Sequence, residues 1–424
     1  MALPASVTGS ALPQAAFTLA DRRATAQPRE AAFYQDPYAF YDAVHAEAPA
    51  FLWENYGHWC FAGFKDVSAL LRDKRFGRQI LHLMTREQLG MPEPKPHVTA
   101  FDQTEKYSLL ALEPPAHTRL RTLVNRAFVS RNVEQLRGRI ETLANELIDG
   151  FEADGQIELL KAFAAPIPAI VIAEMIGLPA EMATQLLDWS NRMVRMYMFG
   201  VTEEVEHDAN RASLDFMAYL RGVIAERRRQ PREDLLTHML TADPVDGQKL
   251  TEDEVISTTI LLLNAGHEAT VHTTGNGVKT ILESGLERNA LFATPEQTEA
   301  TVEECLRFDA PLHMFTRYAL QDVTLDNGLS FKQGETIGLM LAAANRDPMR
   351  FAAANTFDPF RTDGANVSFG AGIHFCIGAP LARIELQVAF SELFKRLPAL
   401  HLAEPPRYNN VYHFHGLERL LVHW

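Results

Sequence analysis

The stretch FGAGIHFCIG, Phe369 to Gly378, sets a lone cysteine two residues after a histidine and among three glycines. It continues as APLARIELQVAFSELFKRL, in which Pro380 suits the first turn of a helix. Leu381, Ile384, Leu386, Val388, Phe390 and Leu393 supply that helix with an apolar stripe. Cys376 therefore falls just before a helix N-terminus, where free N–H groups and the helix dipole favour a thiolate over a thiol. The glycines admit left-handed backbone and let a bulky ligand come close.

Several chemistries compete for such a cysteine. A buried, inert thiol in a glycine-rich turn is the plain reading. A phosphate loop lacks the Gly-Lys-Ser/Thr that should follow, zinc lacks ligands beyond His374, and covalent haem attachment lacks CxxCH. A cysteine nucleophile with His374 as its base stays open. An axial thiolate to haem iron fits best, because it needs one cysteine, N–H donors and an apolar shield such as Phe369.

The chain around this loop has 424 residues, 47% hydrophobic and 22% charged, enough apolar material for a large core. A net charge of −14 argues against a nucleic-acid-binding surface. Cys60, Cys305 and Cys376 are too few and too scattered for a disulfide framework, which suggests a reducing, cytoplasmic setting. Residues 1–30 read as a flexible leader without the basic start and apolar core of a signal peptide, and residues 31–424 as one domain. Val255 to Val278 is long enough to test as a membrane span, but Asn264, His267, Glu268, His272 and Asn276 disqualify it.

Helix signals dominate the pattern, over 132–151, 203–230 and, from the capping box Thr251-Glu252-Asp253-Glu254, about 251–282. Strand-like pieces are short, at 58–64 and at 323–331 around an Asn-Gly turn, and PEPKP (92–96) marks a loop. The expected fold is mainly α with small β-sheets (α+β).

Here the cysteine stretch acquires a family. FGAGIHFCIG resembles the haem-binding signature of the cytochrome P450 family, F-G-x-G-x-H-x-C-x-G, at every fixed position. Other stretches are similar to that family in the same order along residues 114–383. Glu304 and Arg307 form an ExxR pair, with Arg361 following in FDPFR; the resemblance makes the three structural. His117 and Arg121, four apart in PPAHTRLR, resemble the pair that holds the haem propionates, and Arg317 in FTRYA resembles another propionate ligand. AANRDP (343–348) matches as a structural turn. Alone, an ExxR or HxxxR would be an ordinary solvated helix face.

The central helix carries AGHEAT, 265–270. Ala265 and Ala269 are i and i+4, a small-residue stripe against which a flat macrocycle can lie. Glu268 is a carboxylate in a nearly uncharged helix and needs a partner or a task. The family resemblance makes this the distal helix, where an acid and a following threonine deliver protons for O–O cleavage. This chain departs from that pattern: Ala269 stands where the threonine is usual, with Thr270 next, about 100° further round.

The resemblance implies a single-domain fold holding haem b between the distal helix and the cysteine loop. Cys376 would be the iron ligand, with Phe369, His374, Gly378, Ala265, Ala269, His117, Arg121 and Arg317 around the cofactor and Glu268 and Thr270 in proton delivery. It further implies a monooxygenase that uses O2 and a separate ferredoxin with its reductase, since neither a GxGxxG unit nor a cysteine cluster is present. Six arginines between His117 and Arg139, Arg126 and Arg131 among them, offer a basic face to an acidic donor. Met196, in RMVRMYMFG, and Leu312, Met314 and Phe315 are candidate pocket residues for a small, largely apolar substrate, whether terpenoid, fatty acid, aromatic or secondary metabolite. A peroxide-driven oxygenase or a non-enzymatic haem-binding gas sensor on the same scaffold are the rival readings.

Overall fold

A computed structural model describes residues 16–127, 133–198, 200–242, 244–245 and 248–424. The helices that position the site are α1 (Tyr38–Glu47), α2 (Ala116–Ala127), α3 (Arg137–Asp149), α4 (Pro166–Ile176), α5 (Ala183–Val194), α6 (Glu203–Arg229), α7 (Glu252–Ser284), α8 (Pro295–Phe308) and α9 (Ala379–Arg396). The mainly α expectation holds. The capping box at Thr251 forms as read: the Thr251 hydroxyl accepts from Glu254 N, and Glu254 accepts from Thr251 N at 2.8 Å. The helix it starts runs two residues past the expected end, to Ser284, and stops on left-handed Gly285.

In α9 all six residues of the anticipated apolar stripe are buried. That face packs against α7 and α3, so the cysteine loop is fastened to the longest helix through the element that follows it. The helix expected over 132–151 is shorter at both ends: α3 begins at Arg137 and is capped at Gly150, while Asn132 lies outside the described residues.

A seven-stranded sheet flanks the helices. Its strands are β1 (Phe17–Ala20), β2 (Arg23–Ala26), β3 (Ala50–Trp53), β4 (His58–Phe61), β5 (Phe76–Gly77), β6 (Phe315–Ala319) and β7 (Thr336–Leu339), in the order β1-β2-β3-β4-β7-β6-β5. β1 and β2 correct the sequence reading, which assigned residues 1–30 to a loose leader. They pair as a hairpin, and β2 runs parallel to β3 with Arg23 opposite Leu52. Their turn places Asp21 and Arg22 at φ of 51° and 60° without the glycine or asparagine that signals such a turn. The piece read as one strand over 323–331 is a two-residue ladder around the Asn327-Gly328 turn, and that over 58–64 ends at Phe61.

The main hydrophobic core gathers around α7, α4, α9 and α3, with smaller clusters beneath the sheet. Among the described residues no helix is long and apolar enough to cross a membrane.

Candidate active site

The cysteine loop is held from both sides. Upstream, Asn345 of AANRDP accepts from Val367 N at 2.9 Å and donates to Ser368 Oγ at 2.7 Å, and Ser368 donates to Leu306 O at 2.7 Å. Within the loop, Cys376 N donates to Phe369 O at 3.0 Å. The glycines divide in role. Gly370 and Gly372 adopt φ of 69° and 72°, and a Cβ on Gly372 would sit 2.4 Å from the Leu71 carbonyl oxygen. Gly378 does not need that freedom: its φ is −81° at the N-cap of α9, and a Cβ there would meet the Cys376 sulfur at an ordinary 3.9 Å.

The thiol itself corrects a simple expectation. Burial pushes Cys376 up from the usual thiol range, against the N–H groups of Gly378 and Ala379 and the charges of Arg121 and Arg383. The helix N-terminus alone does not produce a thiolate here. A bound metal ion would.

Behind Glu304 and Arg307 lies a fully formed buried network, not an exposed pair. Arg307 donates to both Glu304 oxygens at 2.7 Å and to the carbonyls of Asn345, Ala354 and Thr356. Arg361 lies 2.9 Å from Glu304, and Asp358 N donates to it at 2.8 Å.

Beside the loop the chain collects cations. Arg121 donates to Phe375 O at 2.8 Å, and the His117 and His374 rings lie 4.6 Å apart. Strand pairing does the rest. Phe76 and Gly77 of β5 lie opposite Ala319 and Tyr318 of β6, which brings Arg78 beside Arg317. Burial, then the neighbouring Arg78, pushes Arg317 down to about 9. Burial, with His374 and Arg121, lowers His117 to about 4.

The anion in this group is Glu113, 3.4 Å from His374 and accepting from Arg78 N at 2.6 Å. Burial raises its carboxyl, but His374, the Arg78 N–H and His117 outweigh it and leave it below the carboxylate range. Arg78 and Glu113 escape sequence reading; Glu113 stands directly before PPAH, where asking what balances His117 would have found it. Meanwhile His117 Nε2 and His374 Nδ1 are buried without hydrogen-bond partners among the described residues.

In α7 the residues from Glu254 to Asn264 and from Thr273 to Ile281 are almost all buried, yet Ala265 is exposed and Gly266, Glu268 and Ala269 are half-open. Glu268 Oε2 has no hydrogen-bond partner among the described residues, and Oε1 lies 3.8 Å from His272 one turn on. Thr270 turns into the core and donates to Gly266 O at 3.3 Å. Thr273 and Thr274 likewise donate to backbone carbonyls of their own helix.

Of the pocket candidates, Met196 packs on the core and Met314 is buried against Cys60. Phe315 lies under Arg78 and Arg317, and Leu312 forms a β-bridge with Phe414. A cavity of about 280 Å3 is lined by neighbours of these residues, among them Arg195, Tyr197, Met198, Tyr412, His413 and Phe414.

The basic stretch is largely spent within the chain. Arg119 pairs with Glu254, Arg137 with Glu134, and Arg139 with Glu174 at 2.8 Å. Arg131 and the side chain of Arg126 lie outside the described residues.

A solitary cysteine before a helix, next to buried cations that one carboxylate cannot balance, suits an anionic metal macrocycle; the fold is that of a haem-thiolate oxidoreductase. The chain belongs to the cytochrome P450 family, whose model matches residues 79–283 and 296–409. It is 35% identical over 405 residues to the polyketide biosynthesis cytochrome P450 PksS of Bacillus subtilis, covering 93% of this chain and 97% of that one. It is 35% identical to the vitamin D(3) 25-hydroxylase of Pseudonocardia autotrophica, over 88% of this chain and 89% of that one. A crystal structure of P450BioI with a hexadec-9Z-enoic acid ligated acyl carrier protein superposes with a TM-score of 0.85 at 34% identity, covering 92% of this chain and 99% of that one.

The residues present fit haem. The uncovered Ala265–Ala269 stretch offers small side chains to a flat apolar face. The buried nitrogens His117 Nε2 and His374 Nδ1 and the cation Arg317 suit the carboxylates such a group carries.

Proposed function

We propose that this enzyme inserts one oxygen atom of O2 into a small, largely apolar organic substrate, with electrons from a separate ferredoxin and its reductase. The observation that carries this reading is the meeting of Cys376 and His374 with His117, Arg121 and Arg317, which come from three separate parts of the chain. When bound, haem supplies the activation of O2 and the redox chemistry.

The chain's own residues do the rest. Cys376 ligates the iron, shielded by Phe369, while Arg121, Arg317, His117 and His374 bind the propionates. Glu268 holds and releases a proton at its unpartnered Oε2. Thr270 keeps its hydroxyl on Gly266 O, so ordered water or a substrate hydroxyl takes the place of the usual alcohol.

A relative named for polyketide biosynthesis, another named as a vitamin D(3) hydroxylase and a structure holding a fatty acyl carrier protein all support an apolar, medium-sized substrate. Proton delivery without a side-chain alcohol is also compatible with peroxide-driven turnover.

A reduced, CO-bound spectrum tests the ligation: a red-shifted thiolate Soret band is expected, and its loss in Cys376→His. A normal thiolate band in that variant would remove Cys376 from the iron. Substrate-dependent O2 uptake that requires ferredoxin separates the monooxygenase reading from turnover on peroxide alone.

A further inference from the structure

We propose that Asp309, His313 and His415 form a binding site for one divalent transition-metal ion, with zinc as its probe. Asp309 caps the C-terminus of α8, His313 lies on the lead-in to β6, and His415 belongs to the C-terminal loop. The β-bridge between Leu312 and Phe414 joins the last two segments, with His313 N donating to His413 O and His415 N to Pro311 O. That register sets the two imidazoles side by side, ring centroids 4.3 Å apart.

The ligand atoms of all three residues lie within 4.8 Å of one another, and Asp309 Oδ1 is 3.6 Å from His415 Nε2. Ligands of a tetrahedral ion with bonds of roughly 2.0 Å stand about 3.3 Å apart, so a small contraction closes the site. All three residues are buried, at 3%, 0% and 0% exposure. Yet His313 Nε2 and both ring nitrogens of His415 have no hydrogen-bond partner among the described residues. Buried polar atoms are normally satisfied, and here two imidazoles with unpartnered nitrogens stand beside a carboxylate, each residue offering one ligand atom.

The surrounding groups prepare the donors. Tyr41 OH lies 2.6 Å from His313 Nδ1 and donates its own proton to Tyr412 OH at 3.0 Å. That contact engages His313 Nδ1 and leaves Nε2 as the ring nitrogen to offer a metal ion. Tyr38 donates to one oxygen of Asp309 and Tyr408 to the other, which fixes the carboxylate and spares a lone pair on each. The Tyr408 ring stacks on His415 at 3.9 Å and fixes its plane.

Two imidazoles and one carboxylate suit a borderline ion such as Zn2+ over Mg2+ or Ca2+. The ion would join the strand lead-in carrying Leu312, Met314 and Phe315 to the loop carrying Tyr412, His413 and Phe414, and so brace one wall of the cavity.

The test is zinc binding by the haem-loaded enzyme. Protein cleared of adventitious metal with dipicolinate is dialysed against Zn2+, and zinc is counted against haem iron by mass spectrometry. About one zinc per haem is expected, with a zinc-dependent rise in melting temperature. His415→Gln and His313→Gln should each weaken binding by more than the roughly 10- to 100-fold that Tyr41→Phe costs through the second shell. His207→Ala, which breaks the exposed His97, Glu203, His207 cluster on the surface, should change nothing. If the imidazole variants lose haem, zinc-edge X-ray absorption of the unaltered enzyme decides instead, with two imidazoles expected in the shell. The proposal is overturned by substoichiometric zinc, by zinc lost in His207→Ala but kept in His415→Gln, or by a shell without two imidazoles.

Discussion

Replacing Arg307 by methionine should cost more stability than replacing Arg361, although both pair with Glu304. Arg307 is 2% exposed and makes five hydrogen bonds, two to Glu304 and three to the carbonyls of Asn345, Ala354 and Thr356. Removing one partner of a buried ion pair costs about 3–5 kcal/mol, and each buried carbonyl left bare adds roughly 1 kcal/mol or more. The total, at least about 6 kcal/mol, is a large part of the roughly 5–15 kcal/mol that holds a typical domain.

Arg361→Gln leaves Glu304 with both Arg307 bonds and the Asp358 N–H, so about 1–2 kcal/mol is expected. Urea unfolding followed by haem absorbance and circular dichroism measures both, alongside haem content after low-temperature expression. Should Arg307→Met hold no haem at all, Arg307→Lys, which keeps the charge but loses the two-pronged geometry, should fall between the two. An Arg307→Met protein within about 1 kcal/mol of the unaltered enzyme, or one more stable than Arg361→Gln, would refute the reasoning.

Gly372→Ala should lower haem content and cost at least about 2 kcal/mol, since it combines a positive φ with a Cβ 2.4 Å from a carbonyl oxygen. Gly378→Ala should retain haem and stay within about 1 kcal/mol; equal effects in urea unfolding would contradict the geometry. Glu385 is buried in α9 and pushed up to about 8 by burial alone. Its folded value exceeds its unfolded one, so its contribution is full below about pH 4.5 and is lost as pH rises to about 8. That loss is on the order of 3–5 kcal/mol. Glu385→Gln should flatten the fall in urea midpoints between pH 5 and pH 8.5, and an unchanged slope would clear Glu385 of that role. Glu268→Gln should reduce turnover on the order of 100-fold and uncouple electrons from product, measured as product formed per NAD(P)H consumed. Intact turnover and coupling would remove Glu268 from the relay.

The fold was legible where local signals are strong and illegible where pairing is distant. α7 was readable because its start carries a capping box and its interior is almost uncharged over several turns. β1 and β2 were not, since four-residue strands show almost no periodicity and their turn uses Asp21 and Arg22 in place of glycine. The ExxR pair could be found in the sequence, but its burial could not. That follows from Asn345, Ala354 and Thr356 folding back around Arg307 from about 40 to 50 residues away. Thr270 was readable as a departure from the family pattern, whereas its hydroxyl's commitment to Gly266 O needed coordinates.

The site's charge balance explains why its remaining members stayed hidden. In a chain of net charge −14, the guanidinium groups of Arg78, Arg121 and Arg317 gather with the imidazoles of His117 and His374 near the carboxylate of Glu113. No linear motif specifies that excess: Arg78 joins through the β5–β6 ladder, and Glu113 through the turn into α2. Desolvating a cation beside another cation is unfavourable, which is why Arg317 is pushed down to about 9. A ligand carrying two carboxylates offsets that cost when it binds, and the same groups are then worth more than they would be at the surface. The affinity for such a ligand is therefore set by residues from four distant parts of the sequence.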